Sequence, residues 1–364
     1  MRVVRVEPGR PLDAPRSARL VGAILTRDLA VGEERWSKGR RLSAADVAAL
    51  AVPGAVHGRG SRAAPRVLDL LLLAPGELHE DEVAVRLAAA VAGPCLVRRG
   101  PHESRVDLLA EADGVVAVDL GLLEAVDRID PLEVFTVLDG QTVRAGELVA
   151  SVKGAPHVVP ERTVVRAERL LARAAARGRG PLVQVRPFLP QRVAALVKET
   201  VEGTARARFE ATVRRKVEAL GSQLVGPLYV ADAPADVAGE LRALAIGGQR
   251  VDLVLTAGGA STDPQDAFFV ALRRLGGRVV RRGVPAHPGS MLWLGRLGQT
   301  TILGLPTCGA YSKATAADLL LPRLLAGEPP TRATVARLGH GGVLTPAMRF
   351  RMPPYARDLE APEG

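Results

Sequence analysis

Residues 251–325 read VDLVLTAGGASTDPQDAFFVALRRLGGRVVRRGVPAHPGSMLWLGRLGQTTILGLPTCGAYSKATAADLLLPRLL. Three apolar runs in it each end in a loop rich in Gly, Pro and Ser. The run 251–255 leads into Gly258, Gly259 and Ser261; 278–282 leads into Pro288, Gly289 and Ser290; 300–305 leads into Pro306, Cys308 and Gly309. Helix-like segments at 264–275 and 311–325 follow two of these loops. Short apolar strands alternating with helical stretches predict an α/β fold on a parallel sheet. Ligands of such sheets sit beyond the C-terminal strand ends, so the three loops are expected on one edge.

The chemistry of that edge suits an anion. Glycine lacks a Cβ, so backbone N–H groups there can approach a ligand closely. A helix starting just after such a loop adds free N–H donors and the positive end of its dipole, which favours a phosphate. Asp263 and Asp266 lie in the same turn and would repel a bare phosphate. Two explanations stand side by side: they hold Mg²⁺ between themselves and the ligand, or they cap the next helix, for which Asp-Pro-x-Asp is a good start.

The residues from Thr256 through Gly258, Gly259 and Ser261 to Asp263, with Asp266, then Pro288-Gly-Ser290, then Gly304-Leu-Pro-Thr-Cys-Gly309 with Ser312, resemble the molybdopterin-binding domain. That domain is shared by the molybdopterin molybdotransferases (MoeA type) and the molybdopterin adenylyltransferases. Order and spacing match over residues 192–325. The resemblance implies a three-layer, mostly parallel sheet with helices on both faces. It implies a phosphorylated pterin, molybdopterin or the molybdenum cofactor, cradled by Thr256, Gly258, Gly259 and Ser261, with Pro288, Gly289, Ser290, Gly304, Pro306, Thr307, Cys308, Gly309 and Ser312 from the other two loops. If the chain is catalytic, the implied chemistry is molybdate insertion into an activated pterin dithiolene with Mg²⁺, Asp263 and Asp266 holding metal or positioning the activated phosphate. A homodimer is expected. The pattern also departs from the family: Ser290 and Met291 stand where a basic residue is expected, Cys308-Gly309 replaces Asn-Pro, and Lys198-Glu-Thr-Val-Glu-Gly203 replaces a Thr-Gly-Asp-Glu turn. The changed basic loop, with residues 326–364 too short for the β-domain that the molybdotransferases carry there, favours a carrier over an insertase. A thiol near a helix start is more often thiolate, which suits Cys308 to the metal–dithiolene end of the ligand or to redox exchange with its sulfurs; the alternative is a small buried packing residue.

The chain has 364 residues, two cysteines (Cys95 and Cys308), a net charge of +10 and an isoelectric point of about 10.4. Two cysteines give no disulfide framework and no metal-type spacing, which fits a reducing cytoplasm. No apolar segment near the start reads as a secretion signal, and none is long enough to span a bilayer, so no membrane partner is expected. The positive charge invites a nucleic acid, but the arginines are scattered and aromatics make up only 3% of the chain. Stacking platforms for single strands are therefore scarce, and no nucleic-acid partner is expected. The densest basic stretch, 206–216, reads as the solvated face of a helix.

Before the opening stretch, residues 1–180 predict a smaller α+β region. Ser43-Ala-Ala-Asp46 resembles a capping box. Residues 66–74 form a buried-strand candidate, stopped by Pro75-Gly76, and Glu80, Asp81 and Glu82 suit the first turn of the next helix. His79 beside them lacks a second His at helical spacing and is expected to be structural. A β-rich module is expected near 130–155, with Asp139-Gly140 as a hairpin turn. A helix over 160–177 leads to the linker Arg177-Gly-Arg-Gly-Pro181. The α/β domain is placed at 190–325. Residues 326–364 are expected to be a tail, frayed at Pro353, Pro354 and from Glu360 to Gly364.

Two other function classes are weaker. A dinucleotide fingerprint needs G-x-G-x-x-G opening the first helix, and the glycines here are adjacent. A serine hydrolase needs a G-x-S-x-G elbow, which the chain lacks.

Overall fold

The computed structural model describes residues 1–58, 65–198, 203–259, 261–305 and 314–358. The chain divides into two compact units. One comprises residues 1–110, 118–137 and 147–184; the other comprises 111–117, 138–146 and 185–364.

The second unit is built on a six-stranded sheet. Its strands are β1 (Arg192–Val197), β2 (Gln223–Tyr229), β3 (Leu253–Ala257), β4 (Arg278–Arg282), β5 (Trp293–Leu297) and β6 (Thr300–Gly304). Their spatial order is β2-β1-β3-β6-β5-β4. The first four in that order are mutually parallel; β5 is antiparallel to both β6 and β4. Running antiparallel to an antiparallel neighbour restores the direction, so β4 points the same way as β1, β2, β3 and β6. The registers align Leu228, Leu196, Thr256, Gly304, Trp293 and Arg282 in one row across the sheet. The three apolar runs of the opening stretch therefore end on the same edge, as expected. What the alternation of loops and runs did not reveal is β5, which separates β4 from β6.

Side chains alternate across a strand, and both faces of this sheet are apolar. Val193, Ala195 and Val197 of β1 face helices α1 (Gly203–Glu218) and α4 (Ala317–Leu325), whose Phe209, Val213, Leu320 and Leu325 share their core. Ala194 and Leu196 face helices α2 (Pro234–Ala245) and α3 (Ala267–Arg274), with Leu241, Phe268 and Phe269. The result is the three-layer α/β arrangement. Arg206–Lys216 departs from the solvated face expected of it. Arg206–Glu210 and Arg214–Glu218 are exposed i,i+4 pairs, but Lys216 is buried against Asp318 of α4 at 2.5 Å.

The C-terminal segment also differs from a frayed tail. Pro353 is buried, and Met352, Tyr355 and Ala356 join the core on the α1/α4 face. The chain reverses into that core because these three apolar side chains have a hydrophobic surface to cover. Residues 359–364 lie outside the described residues.

In the first unit, Leu96–His102, Arg105–Ala110, Leu132–Thr136 and Leu148–Gly154 form an antiparallel sheet on which helix Glu80–Val91 packs, and helix Glu161–Ala176 packs on that helix. The capping box at Ser43 and Asp46 forms as read. His79 is structural: it caps the helix Glu80–Val91, its Nδ1 accepting from the Asp81 N–H, and its Nε2 hydrogen-bonds the Gly39 carbonyl at 2.8 Å. Asp139-Gly140 is not a tight hairpin turn. The strands Leu132–Thr136 and Leu148–Gly154 pair antiparallel, but the connection between them leaves for the second unit, where Thr142 pairs with Val115 and Asp139 binds Arg323. Among the described residues no helix is long and apolar enough to cross a membrane.

Candidate ligand site at the strand ends

Adjacent strands β1 and β3 send their following helices to opposite faces: α1 lies on one, α3 on the other. Such a divergence leaves a crevice beyond the strand ends, the usual ligand position in open α/β sheets. Three pieces of sequence meet there. Lys198 follows β1, its N–H bonded to the Ala257 carbonyl at 3.2 Å. Gly258 and Gly259 follow β3. Asp266 heads α3.

Gly258 has φ +82°, a left-handed conformation that glycine alone adopts without strain. Gly259 packs against Phe268, whose Cδ2 would lie 3.1 Å from any added Cβ. The pair is half-buried, and Ser261 after it is half-buried too. Thr256, one step before the loop, is buried, and its Oγ1 has no hydrogen-bond partner among the described residues. A buried hydroxyl without a partner is costly, and it is the kind of group a ligand satisfies.

The acidic pair resolves into two different residues. Asp266 is the helix cap: its Oδ1 accepts the Phe268 N–H at 2.9 Å, and its Oδ2 lies 3.0 Å from the Lys198 Nζ. Its side chain is 3% exposed. Asp263 is exposed and turns the chain locally, its Oδ1 accepting the Gln265 N–H at 2.8 Å and its carbonyl accepting the Asp266 N–H. Lys198 is buried to the same degree as Asp266 and also pairs with Asp232 at 2.8 Å, whose side chain is 61% exposed. Burial lowers the lysine pKa, but the hydrogen bonds to Asp232 and Asp266 outweigh it, so the group lies above its ordinary value and is charged.

This arrangement does not fit Mg²⁺ at Asp263 and Asp266. Magnesium demands near-octahedral oxygen ligands at about 2.0–2.1 Å. One oxygen of Asp266 is committed to a backbone N–H and the other to an ammonium that would repel a divalent ion. Among the described residues no group of three His, Cys, Asp or Glu could hold a metal.

The other two loops are placed in part. Ala316, just before α4, donates its N–H to the Pro288 carbonyl at 2.9 Å. Gly289 has φ +103°, and a Cβ on it would stand 2.8 Å from the Ala316 nitrogen. His287 bonds through both backbone groups to the C-terminal segment, to the Gly342 carbonyl and the Leu344 N–H, each at 2.8 Å. Ser290 accepts the Val284 N–H through its carbonyl. Gly304 has a packing reason to be glycine: an added Cβ would overlap the Trp293 indole. Pro306, Thr307, Cys308, Gly309 and Ser312 lie outside the described residues, as do Glu199 to Glu202.

Sequence reasoning quoted Lys198 as part of an altered loop and passed over its charge. The available signal was a lysine at the end of a strand next to the switch point. Asp232 gave no signal; it lies in a loop after β2 and meets Lys198 only in three dimensions.

Residues 193–326 match the family model described as "Probable molybdopterin binding domain". Among solved structures, the chain is similar to the molybdopterin biosynthesis MoeA protein from Pyrococcus horikosii, with 14% identity over 69% of this chain and 80% of that one and a TM-score of 0.30. It is also similar to the molybdopterin biosynthesis enzyme MoaB from Thermus thermophilus, with 23% identity over 38% of this chain and 98% of that one and a TM-score of 0.27. At such scores the two likenesses carry none of the argument. No curated protein matches the chain. The three loops and the sheet that presents them thus belong to a stretch, residues 193–326, that matches the molybdopterin-binding domain of the cofactor biosynthesis proteins.

Proposed function

We propose that the second unit binds molybdopterin or the finished molybdenum cofactor at the β1–β3 crevice, gripping the phosphate, and that the protein carries the cofactor rather than inserting molybdate. The observation that carries this reading is the meeting of Gly258-Gly259 with the Lys198–Asp266 pair at the switch point, inside the stretch that matches a molybdopterin-binding domain. Backbone N–H groups of the glycine loop supply donors for the phosphate oxygens, and the Thr256 hydroxyl supplies one more polar group nearby. The engaged state of Asp266 favours a carrier. Insertion of molybdate into an activated pterin calls for a metal or a free carboxylate at the phosphate, and Asp266 offers neither. Ser290, where the family has a basic residue, removes a further charge that an oxyanion substrate would use.

The test is calorimetric titration with molybdopterin and, separately, with NAD. Binding of the pterin alone is expected. Binding of NAD without the pterin overturns the reading, and turnover that depends on both molybdate and nucleotide replaces the carrier by an insertase.

A further inference from the structure

We infer that the ammonium of Lys198 is the resident cation of this site, that Asp232 holds the place of the incoming phosphate, and that phosphate binding here therefore needs no divalent metal. The inference rests on the ligand class proposed above and goes beyond it by assigning the charge balance of the site.

An ammonium has three N–H donors. In Lys198 one points to Asp266 Oδ2 at 3.0 Å and one to Asp232 Oδ1 at 2.8 Å. The third has no partner among the described residues. The nearest aromatic face, Phe268, lies 5.7 Å from the nitrogen and takes up little of that charge. A charged group with a side chain only 5% exposed and a donor to spare is one that a ligand would complete.

The two carboxylates around it are not equivalent. Asp266 is buried, caps α3 through its other oxygen and cannot turn away without uncapping the helix. It fixes the lysine. Asp232 is mostly solvated and is held only from its exposed side, so it can leave the ammonium and keep its hydration. A phosphate dianion competing for the same ammonium offers more charge and up to three acceptor oxygens. Asp232 would swing into water, where it is already largely hydrated, and the phosphate would take its place on Lys198. The local balance then becomes one cation and one fixed anion facing the ligand, with the glycine-loop N–H groups completing the cradle.

The experiment measures binding of molybdopterin and of inorganic pyrophosphate to the full chain by calorimetry, with Mg²⁺ in excess over the ligand and again with EDTA. The expected result is affinity unchanged within about twofold between the two conditions. Lys198→Met should weaken both probes by about tenfold or more, the loss of one charge-assisted hydrogen bond. Asp232→Asn should tighten both by about two- to fivefold, the worth of removing a competing carboxylate that is itself solvent-exposed. Asp232 is exposed, so its variant keeps the fold and the test stands even where Lys198→Met is unstable. A Mg²⁺ requirement, an unaltered Lys198→Met or a weakened Asp232→Asn overturns the inference. Pyrophosphate binding without molybdopterin binding overturns the ligand assignment and leaves this charge arrangement supported. A wild-type chain that binds neither overturns both.

Discussion

Lys216 and Asp318 form an ion pair that is almost completely dry: their side chains are 3% and 0% exposed. The second oxygen of Asp318 accepts the Thr315 N–H at 2.8 Å, so the carboxylate joins α1 to the start of α4. The ammonium lies 5.7 Å from the centre of the buried Tyr355 ring. Burial, and then the neighbouring Asp318 carboxylate, push the Tyr355 phenol well above its ordinary value, so it stays neutral and adds no second negative charge beside Asp318. Replacing Lys216 by methionine keeps the length and apolar volume of the side chain and strands Asp318 as a buried, uncompensated charge. Breaking one partner of such a pair costs about 3–5 kcal/mol. Asp318→Asn in the same chain keeps an oxygen for the Thr315 N–H and removes the stranded charge, so the double variant should recover to within about 1.5 kcal/mol of the parent. The two tryptophans fall one to each unit, Trp36 in the first and Trp293 in the second. In a Trp36→Phe background, Trp293 fluorescence during urea unfolding reports the second unit alone. With an m-value of about 2–3 kcal/mol/M, Lys216→Met should move the midpoint down by roughly 1–2.5 M. A shift worth less than about 1 kcal/mol, or a double variant as unstable as the sum of the singles, refutes the reasoning, since either would mean that the pair contributes no more than an exposed one.

Two further outcomes follow from the structure. Gly289→Ala places a Cβ at φ +103°, 2.8 Å from the Ala316 backbone nitrogen, and should cost about 1–3 kcal/mol by the same Trp293 assay; a neutral substitution would mean that the loop is free to move away from α4. In the first unit, the hydrogen bond from Arg86 holds Glu168 below the usual glutamate value against the opposing effect of burial. A carboxylate with a lowered folded pKa contributes stability above its unfolded value, and that contribution is lost as pH falls through the folded value. Unfolding followed by Trp36 in a Trp293→Phe background should show stability falling below about pH 4.5, and Glu168→Gln should make the fall shallower; an identical acid slope in the variant would show that the pair is not linked to folding.

Much of the second unit was legible because its signals are local. Apolar runs broken by Gly-Gly and Pro-Gly state where strands stop, and helical stretches between them state that the sheet is parallel. The edge on which the loops lie follows from those two facts. β5 was not legible, because Trp293–Leu297 carries a Gly and an Arg and lies only two residues before β6, so it reads as part of a loop. The site was legible to the level of its loops and no further. Asp-Pro-x-Asp announces a helix start, yet nothing in the sequence says which Asp caps and which turns the chain. That choice is made by Lys198, 68 positions upstream of Asp266 and brought beside it by the pairing of β1 with β3. Lys216 was misread for a similar reason. Its neighbours Arg214 and Arg215 make the helix look wet, and only Asp318, across the core, gives that lysine a reason to be inside. The C-terminal segment has few residues and two adjacent prolines, which resemble a frayed end until Tyr355 and Met352 find the α1/α4 face.

The hydrogen bonds between His287 and the segment 342–344 impose an order on synthesis. His287 is made 57 residues before Leu344, whose N–H its carbonyl accepts. At translation rates of about 5–20 residues per second, the second loop waits roughly 3–11 s for that partner. Until Ala316 is made and donates to the Pro288 carbonyl, β4 and β5 have nothing to fix the turn between them from outside, and the bonds from His287 come later still. The strand ends around Gly258 and Lys198 are complete earlier in translation. The nascent chain therefore finishes the β1–β3 crevice first and the Pro288–Ser290 wall of the same edge last.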